Sequence, residues 1–281
     1  VNVLLVYAHP EPRSLNGALR DVAVAELQCL GHEVQVSDLY AMGWKAAIDR
    51  ADFPTLAADE RLAISDASKA AFKAGELTPD VQGEIDKLRW ADAVILQFPL
   101  WWFSMPAILK GWVDRVYARG FAYGVGEHSD KRWGDRYGEG NLAGKRAMLI
   151  VTTGGWETHY GARGVNGPID DLLFPINHGI LFYPGFDVLP PFVAYQAGRI
   201  DEAKFAATAE QLRERMRTLA TAPPIPYRRQ NGGDYLIPSM ELRAGLGAPG
   251  TNGFALHLGE GPTAHPAIDR GTTAGDKAKD C

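Results

Sequence analysis

Apolar positions along the chain fall into two kinds of run. Residues 1–8 (VNVLLVYA), 92–99 (DAVILQFP) and 146–153 (RAMLIVTT) are nearly continuous apolar stretches, the pattern of strands buried on both faces. Residues 32–39 (HEVQVSDL) are more polar and predict a strand nearer an edge. Residues 185–195 (GFDVLPPFVAY) predict a fifth strand, placed at an edge because Pro190-Pro191 interrupts it. Elsewhere the apolar spacing lengthens to three and four. Leu15, Ala18, Leu19 and Val22 mark a helical face running towards Leu30, with Gly31 placed to stop it. Residues 84–90 predict a helix, and Leu109, Trp112, Val113 and Val116 mark one buried helical face. Residues 168–183 suit a helix and its exit, and residues 201–219 carry Phe205, Leu212, Met216 and Leu219 on one face. Residues 40–83 offer no strand, and residues 124–144 form a long loop rich in Gly, Asp and Arg.

Strands alternating with helices predict an α/β fold with a doubly wound, mostly parallel sheet; five strands suit the flavodoxin-like order 2-1-3-4-5. In such sheets a ligand sits beyond the carboxyl ends of the strands, at the switch point between strands one and three. Those ends are residues 9–16 and 99–103. The division expected is 1–220 for this domain, 221–270 for an irregular extension rich in Pro and Gly, and 271–281 for a polar, disordered tail.

Among the 281 residues acids outnumber bases, for a net charge of −5. That excludes a general nucleic-acid binder, and Lys131, Arg132 and Arg136 read as a solvated loop. Cys29 and Cys281 supply neither a disulfide framework nor a metal quartet. The seven histidines never occur as HxH or HExxH, so no metal site is expected. GxSxG and GxxxxGK[ST] are also missing, and the loop after the first strand lacks GxGxxG, which argues against an α/β-hydrolase, a P-loop and a standard nicotinamide Rossmann site. No apolar run approaches the roughly 20 residues of a membrane span, and the chain enters a strand at once, so a cytoplasmic protein without a signal peptide is expected.

The chemistry is concentrated in three strand-end loops. Residues 97–117 (QFPLWWFSMPAILKGWVDRVY) join a strand to a packed helix through Pro99, Leu100, Trp101, Trp102 and Phe103. Pro106 is expected in the first helical turn with Ser104 as cap. Core aromatics and a platform for a planar ligand are the two readings of this bend, and its place at the switch point favours the second. Ser14 and Asn16, with the amides at a helix N-terminus, suit a phosphate or pyrophosphate, although a cap role also explains Ser14. His9 is placed to bond a phosphate or local backbone. Thr152-Thr153-Gly154-Gly155 is either a tight turn or a place where amides approach a ligand closely. Together these loops suit an isoalloxazine ring, which needs apolar faces and N–H donors at its polar edge.

The residues assembled so far resemble the flavin-dependent NAD(P)H:quinone oxidoreductases of the DT-diaphorase type. The resemblance rests on SDLYAM (37–42), QFPLWWFSMPAILKGWVDRVY, GFAY (120–123), TTGG (152–155), LFPINHGIL (173–181) and NGFALHLG (252–259), and runs from the first strand to about Arg270. It implies a homodimer with FAD at each interface, FMN being the second choice, and ping-pong reduction of quinones by NAD(P)H. A flavin, azo or nitroaromatic reductase shares the same motifs, and a non-catalytic flavodoxin-like electron carrier is the third reading. Flavin contacts carried over fall on His9, Leu15, Asn16, Leu100, Trp101, Trp102, Phe103, Thr152, Thr153, Gly154, Gly155 and Tyr160, with Trp102 expected to face the ring. Pocket residues fall on Ala122, Tyr123 and Gly124, with Val125 where the family has a second Tyr. Tyr160 matches the Tyr thought to stabilise reduced flavin, but Asn166 holds the place of its partner His, and Lys204 is the nearest counterpart of the adenosine-end Arg.

Overall fold

The computed structural model describes residues 1–259. The predicted tail at 271–281, Cys281 and the end of the resemblance at Arg270 lie outside them. Strands β1 (Asn2–Tyr7), β2 (Glu33–Asp38), β3 (Ala93–Pro99), β4 (Arg146–Thr152) and β5 (Asp187–Val188) form a parallel sheet in the order β2-β1-β3-β4-β5. A further strand, β6 (Phe192–Ala194), also pairs with β4, so Pro190-Pro191 splits the predicted fifth strand into two short pieces. The break follows from proline's missing N–H, which cannot join the ladder.

Alternation within the strands sends side chains to two separate cores. Leu4, Val6, Val94, Leu96, Phe98, Leu149 and Val151 face helices α3 (Pro79–Trp90), α4 (Ala107–Val116) and α5 (Ile169–Ile176). Val3, Leu5, Tyr7, Ile95, Met148 and Ile150 face α1 (Leu15–Cys29) and α6 (Glu202–Arg217). Both faces are thus covered, which is why β1, β3 and β4 read as unbroken apolar runs. Strand β2 is half-exposed, as an edge strand should be.

Several element ends differ from expectation. Helix α3 begins at Pro79, five residues before the predicted Glu84, because a proline is at home in a first turn. Pro106 is the N-cap residue of α4 rather than its first turn, and Ser104 does not cap it, because Ser104 is already engaged in the preceding bend. Pro175 lies inside α5, and the chain leaves that helix through a π-helical turn at Asn177–Phe182. Helix α2 (Ile64–Ala74) lies within the segment expected to have no strand, and the extension after α6 holds a two-strand ribbon, β7 (Tyr235–Leu236) with β8 (Glu241–Leu242). Among the described residues no helix is long and apolar enough to cross a membrane.

Candidate functional site

The carboxyl ends of β1, β3 and β4 meet around a crevice of about 260 Å³. Its first wall is the turn into α1. Ser14 caps that helix, its Oγ accepting from the Gly17 N–H at 3.2 Å. Asn16 is 3% exposed. Its Nδ2 donates to Thr152 Oγ1 at 2.7 Å, and its backbone oxygen accepts from Gln97 Nε2 at 2.6 Å. One side chain therefore ties the helix N-terminus to both neighbouring strand ends. A Cβ at position 17 would lie 1.8 Å from the Pro12 carbonyl oxygen, so only glycine lets the His9–Pro12 loop close onto the helix. The Glu11 N–H donates to His9 Nδ1 at 3.0 Å. The same Nδ1 lies 3.2 Å from the Glu11 carbonyl oxygen, so the imidazole is held against the local backbone whichever ring nitrogen carries the proton.

The second wall is the bend after β3. Leu100 N–H donates to the Thr152 carbonyl at 2.8 Å, and Trp101 and Ser104 exchange two backbone bonds of 3.0 and 3.1 Å. Between them Trp102 and Phe103 have φ of 50° and 62°. Two consecutive positive φ values are the arrangement of a type I′ turn, for which Asn and Gly are the usual residues. Bulky aromatics there carry a cost on the order of 1–3 kcal/mol each. The turn presents Trp101 to the crevice, with its ring centroid 6.0 Å from that of His9, and turns Trp102 into solvent at 95% exposure. Of the two adjacent rings, Trp101 borders the crevice, whereas Trp102, expected to face the ring, does not border it.

The third wall is Thr152-Thr153-Gly154. Position 154 has open space where a Cβ would be, whereas a Cβ at Gly155 would come within 2.8 Å of the Tyr160 ring. Tyr160 is buried beneath this loop, its hydroxyl 2.6 Å from Thr153 Oγ1. Its ring lies 5.8 Å from that of Tyr195, whose phenol burial pushes above the ordinary value and so keeps protonated.

His9, Ser14, Leu15, Asn16, Pro99, Leu100, Trp101, Thr152, Thr153 and Gly154 all border the crevice. Phe103, Gly155 and Tyr160 stand next to it in the chain or beneath it without bordering it. Asn166 is half-buried and donates its backbone N–H to the His159 carbonyl at 3.0 Å. Ala122, Tyr123 and Gly124 are not in the crevice; they form a tight turn after α4, closed by the Gly120 N–H on the Tyr123 carbonyl at 2.7 Å. Ala197 and Gly198, in the 3-10 turn after β6, complete the crevice and were not anticipated. The strand-end rule that nominated the other loops applies to them equally, but the broken fifth strand hid its own carboxyl end.

The crevice has an anion-attracting end, at the amides opening α1, and an apolar end at Pro99, Leu100 and Trp101. Among the described residues no Asp or Glu borders it. Asn16 Oδ1 and Gln97 Oε1 are buried with no hydrogen-bond partner among the described residues, leaving acceptor capacity at its floor. Among the described residues no group of three or more His, Cys, Asp and Glu is placed to hold a metal ion. The site is built to bind rather than to attack: it offers dipoles, hydroxyls and a flat apolar surface.

Residues 1–216 match the family model described as a flavodoxin-like fold. The chain is 62% identical over 257 residues to a ribosyldihydronicotinamide dehydrogenase-like protein of Penicillium crustosum, covering 92% of this chain and 95% of that one. It is 42% identical to the human ribosyldihydronicotinamide dehydrogenase [quinone] over 80% of this chain and 94% of the relative. A Klebsiella pneumoniae protein described as a quinone reductase has a crystal structure that superposes with a TM-score of 0.89 at 63% identity, covering 92% of this chain and 99% of that one. A fold, a strand order and a degree of identity that agree over this much of the sequence leave one assignment: the chain belongs to the flavin-dependent NAD(P)H:quinone oxidoreductases of the DT-diaphorase type, built on a flavodoxin-like fold.

Proposed function

We propose that the protein is an NAD(P)H:quinone oxidoreductase that holds FAD in the crevice at the ends of β1, β3 and β4 and reduces quinones by two electrons in ping-pong order. The observation that carries this reading is the convergence of three strand-end loops on one crevice with an anion-attracting end and an apolar end. The residues fit the group. Open space above Gly154 accepts the edge of a ring, and Leu100 and Trp101 supply a flat apolar border. The amides opening α1 and the imidazole of His9 at the crevice border suit a pyrophosphate. When bound, the flavin accepts a hydride from NAD(P)H and passes it on as a two-electron equivalent to a quinone.

The chain's own groups bind, orient and stabilise charge. Thr152 Oγ1 is already fixed by Asn16, so the loop after β4 is held in place before any ligand arrives. Tyr160 supports the Thr153–Gly155 turn from below, and Asn166 takes the place at which the family carries a histidine. An amide donates a hydrogen bond but cannot become a cation, so Asn166 stabilises negative charge without moving a proton.

FAD is favoured over FMN by what lies beyond Ala197 and Gly198. A depression of about 290 Å³ bordered by Trp156, Tyr195, Gln196 and Lys204 adjoins that side of the crevice. It offers one cation and two aromatic rings to an adenosine phosphate. A homodimer belongs to the same reading. Trp102, Phe103, Trp156 and Val165 are 95%, 49%, 50% and 89% exposed on the loops around the crevice, and a second copy would cover them and bring its own Ala122–Gly124 turn to the site. A cytoplasmic location follows from the same use of NAD(P)H.

The test is direct. The purified protein should be yellow, release FAD on denaturation as identified by chromatography, and oxidise NADH or NADPH only when a quinone is added. A colourless protein that takes up neither FAD nor FMN would sink the proposal.

A further inference from the structure

A second cavity, of about 350 Å³, lies where residues 136–137, the π-helical turn after α5 and the C-terminal extension meet. It shares no bordering residue with the flavin crevice and none with the adjoining depression. Its border combines aromatic rings (Tyr137, His178, Tyr235, His257) with two guanidinium groups (Arg136, Arg228).

Three independent features of this cavity point to a ligand. The first is its charge. Arg228 is 8% exposed and already neutralised by Asp234 at 2.6 Å. Arg136 is hydrogen-bonded to Gln230 and lies over the Tyr183 ring at 5.9 Å, but no carboxylate pairs with it among the described residues. Among the described residues the cavity therefore keeps one positive charge without a carboxylate partner. The second is His178, whose Nε2 is buried and has no hydrogen-bond partner among the described residues. Burial holds its pKa down to about 4, so at neutral pH the ring contributes a neutral polar atom rather than a charge. The third is backbone strain. Five non-glycine residues among the described ones have positive φ: Trp102, Phe103, Tyr137, Gln196 and Met240. The first two form the bend of the flavin crevice, and Gln196 immediately precedes its Ala197–Gly198 edge. The other two, Tyr137 and Met240, both border this second cavity. Strain of this kind costs about 1–3 kcal/mol per residue and persists where a site needs the conformation.

We infer that this cavity is a second binding site, for a planar aromatic molecule carrying one anionic group such as a carboxylate. The ring of such a ligand meets Tyr137, Tyr235 and the imidazoles of His178 and His257, and its anion meets Arg136. Shape alone is not the basis of selection: an uncharged molecule of the same outline leaves Arg136 unpaired and desolvated. The site stands on different residues from the flavin crevice and does not depend on what fills that crevice.

The flavin-loaded protein is titrated by calorimetry with 2-naphthoate and, separately, with the uncharged 2-naphthamide. Naphthoate is expected to bind at least about tenfold more tightly than the amide, the worth of one charge-assisted hydrogen bond. Arg136→Gln should remove that preference while retaining the flavin absorbance, and Trp101→Ala, in the crevice, should leave it intact. Equal affinity for the two probes on the unaltered protein would overturn the inference without any variant. So would no binding of naphthoate up to about 1 mM, or binding lost in Trp101→Ala but kept in Arg136→Gln, which would place the probe in the flavin crevice instead.

Discussion

Single side chains decide how the crevice is held. Gly155 has nowhere to put a methyl group, since Tyr160 sits 2.8 Å from the Cβ position. Gly155→Ala should displace the turn after β4 and weaken flavin binding about tenfold, read by titrating the flavin-free protein. Asn166 sets the second prediction. Replacing it with histidine restores a group that titrates near neutrality, so Asn166→His should give flavin reduction by NAD(P)H a steeper pH profile. An unchanged profile would count against a role for that position in stabilising the reduced flavin. At this scale the sequence was informative about residue type and poor about direction. Asn16, Thr152 and Trp101 were all nominated and all border the crevice, yet Trp102 was expected to face a ligand and faces solvent. The reason is the positive φ at both Trp102 and Phe103, which no propensity would assign to two aromatics.

Secondary-structure elements carry the next level of the account. Ser14 is the cap of α1 and also borders the crevice, so Ser14→Ala should cost about 1 kcal/mol of stability in urea unfolding, in addition to any loss of flavin affinity. A second element-scale prediction concerns the junction between α5 and the extension. Phe254, Phe174, His178 and Tyr137 stack in sequence with ring centroids 4.2, 4.5 and 4.7 Å apart. His178 sits inside this column with Tyr227 edge-on, and the nearest ionisable neighbours are His257 and, beyond it, Arg228. Its pKa falls from 6.5 in the unfolded chain to about 4 here because the column excludes water. Between those values the unfolded state binds more protons, so the contribution of His178 is complete above about pH 6.5 and declines as pH falls towards 4. Hydrogen-exchange protection around Phe254, corrected for the intrinsic pH dependence of exchange, should therefore fall on acidification through that window, and His178→Phe should flatten the dependence. Strands were the most legible elements, because burial on two faces leaves an unbroken apolar run in β1, β3 and β4. Helix ends were less so, as α4 shows: its expected cap, Ser104, is taken by the backbone pairing with Trp101.

At the scale of the whole molecule the sheet order fixes where function sits. Three loops far apart in the sequence come together because β1, β3 and β4 are neighbours in a parallel sheet, so their carboxyl ends share one edge. That much follows from alternation of strands and helices. What could not be read was the fourth contributor, Ala197–Gly198, and the contact between the extension and the π-helical turn, since neither leaves a periodic trace. The exposed rings at Trp102 and Phe103 give a whole-molecule prediction: sedimentation should find a dimer, and Trp102→Glu should shift it towards monomer by placing a charge in the covered surface. The central claim is tested most directly by anaerobic rapid mixing of the purified protein. A stoichiometric amount of NADH or NADPH should bleach the visible flavin band in a single phase, and a quinone added afterwards should restore it with one quinone consumed per flavin. A flavin that stays oxidised with both nucleotides, yet is reduced by dithionite, would contradict the account and leave an electron carrier in place of the enzyme.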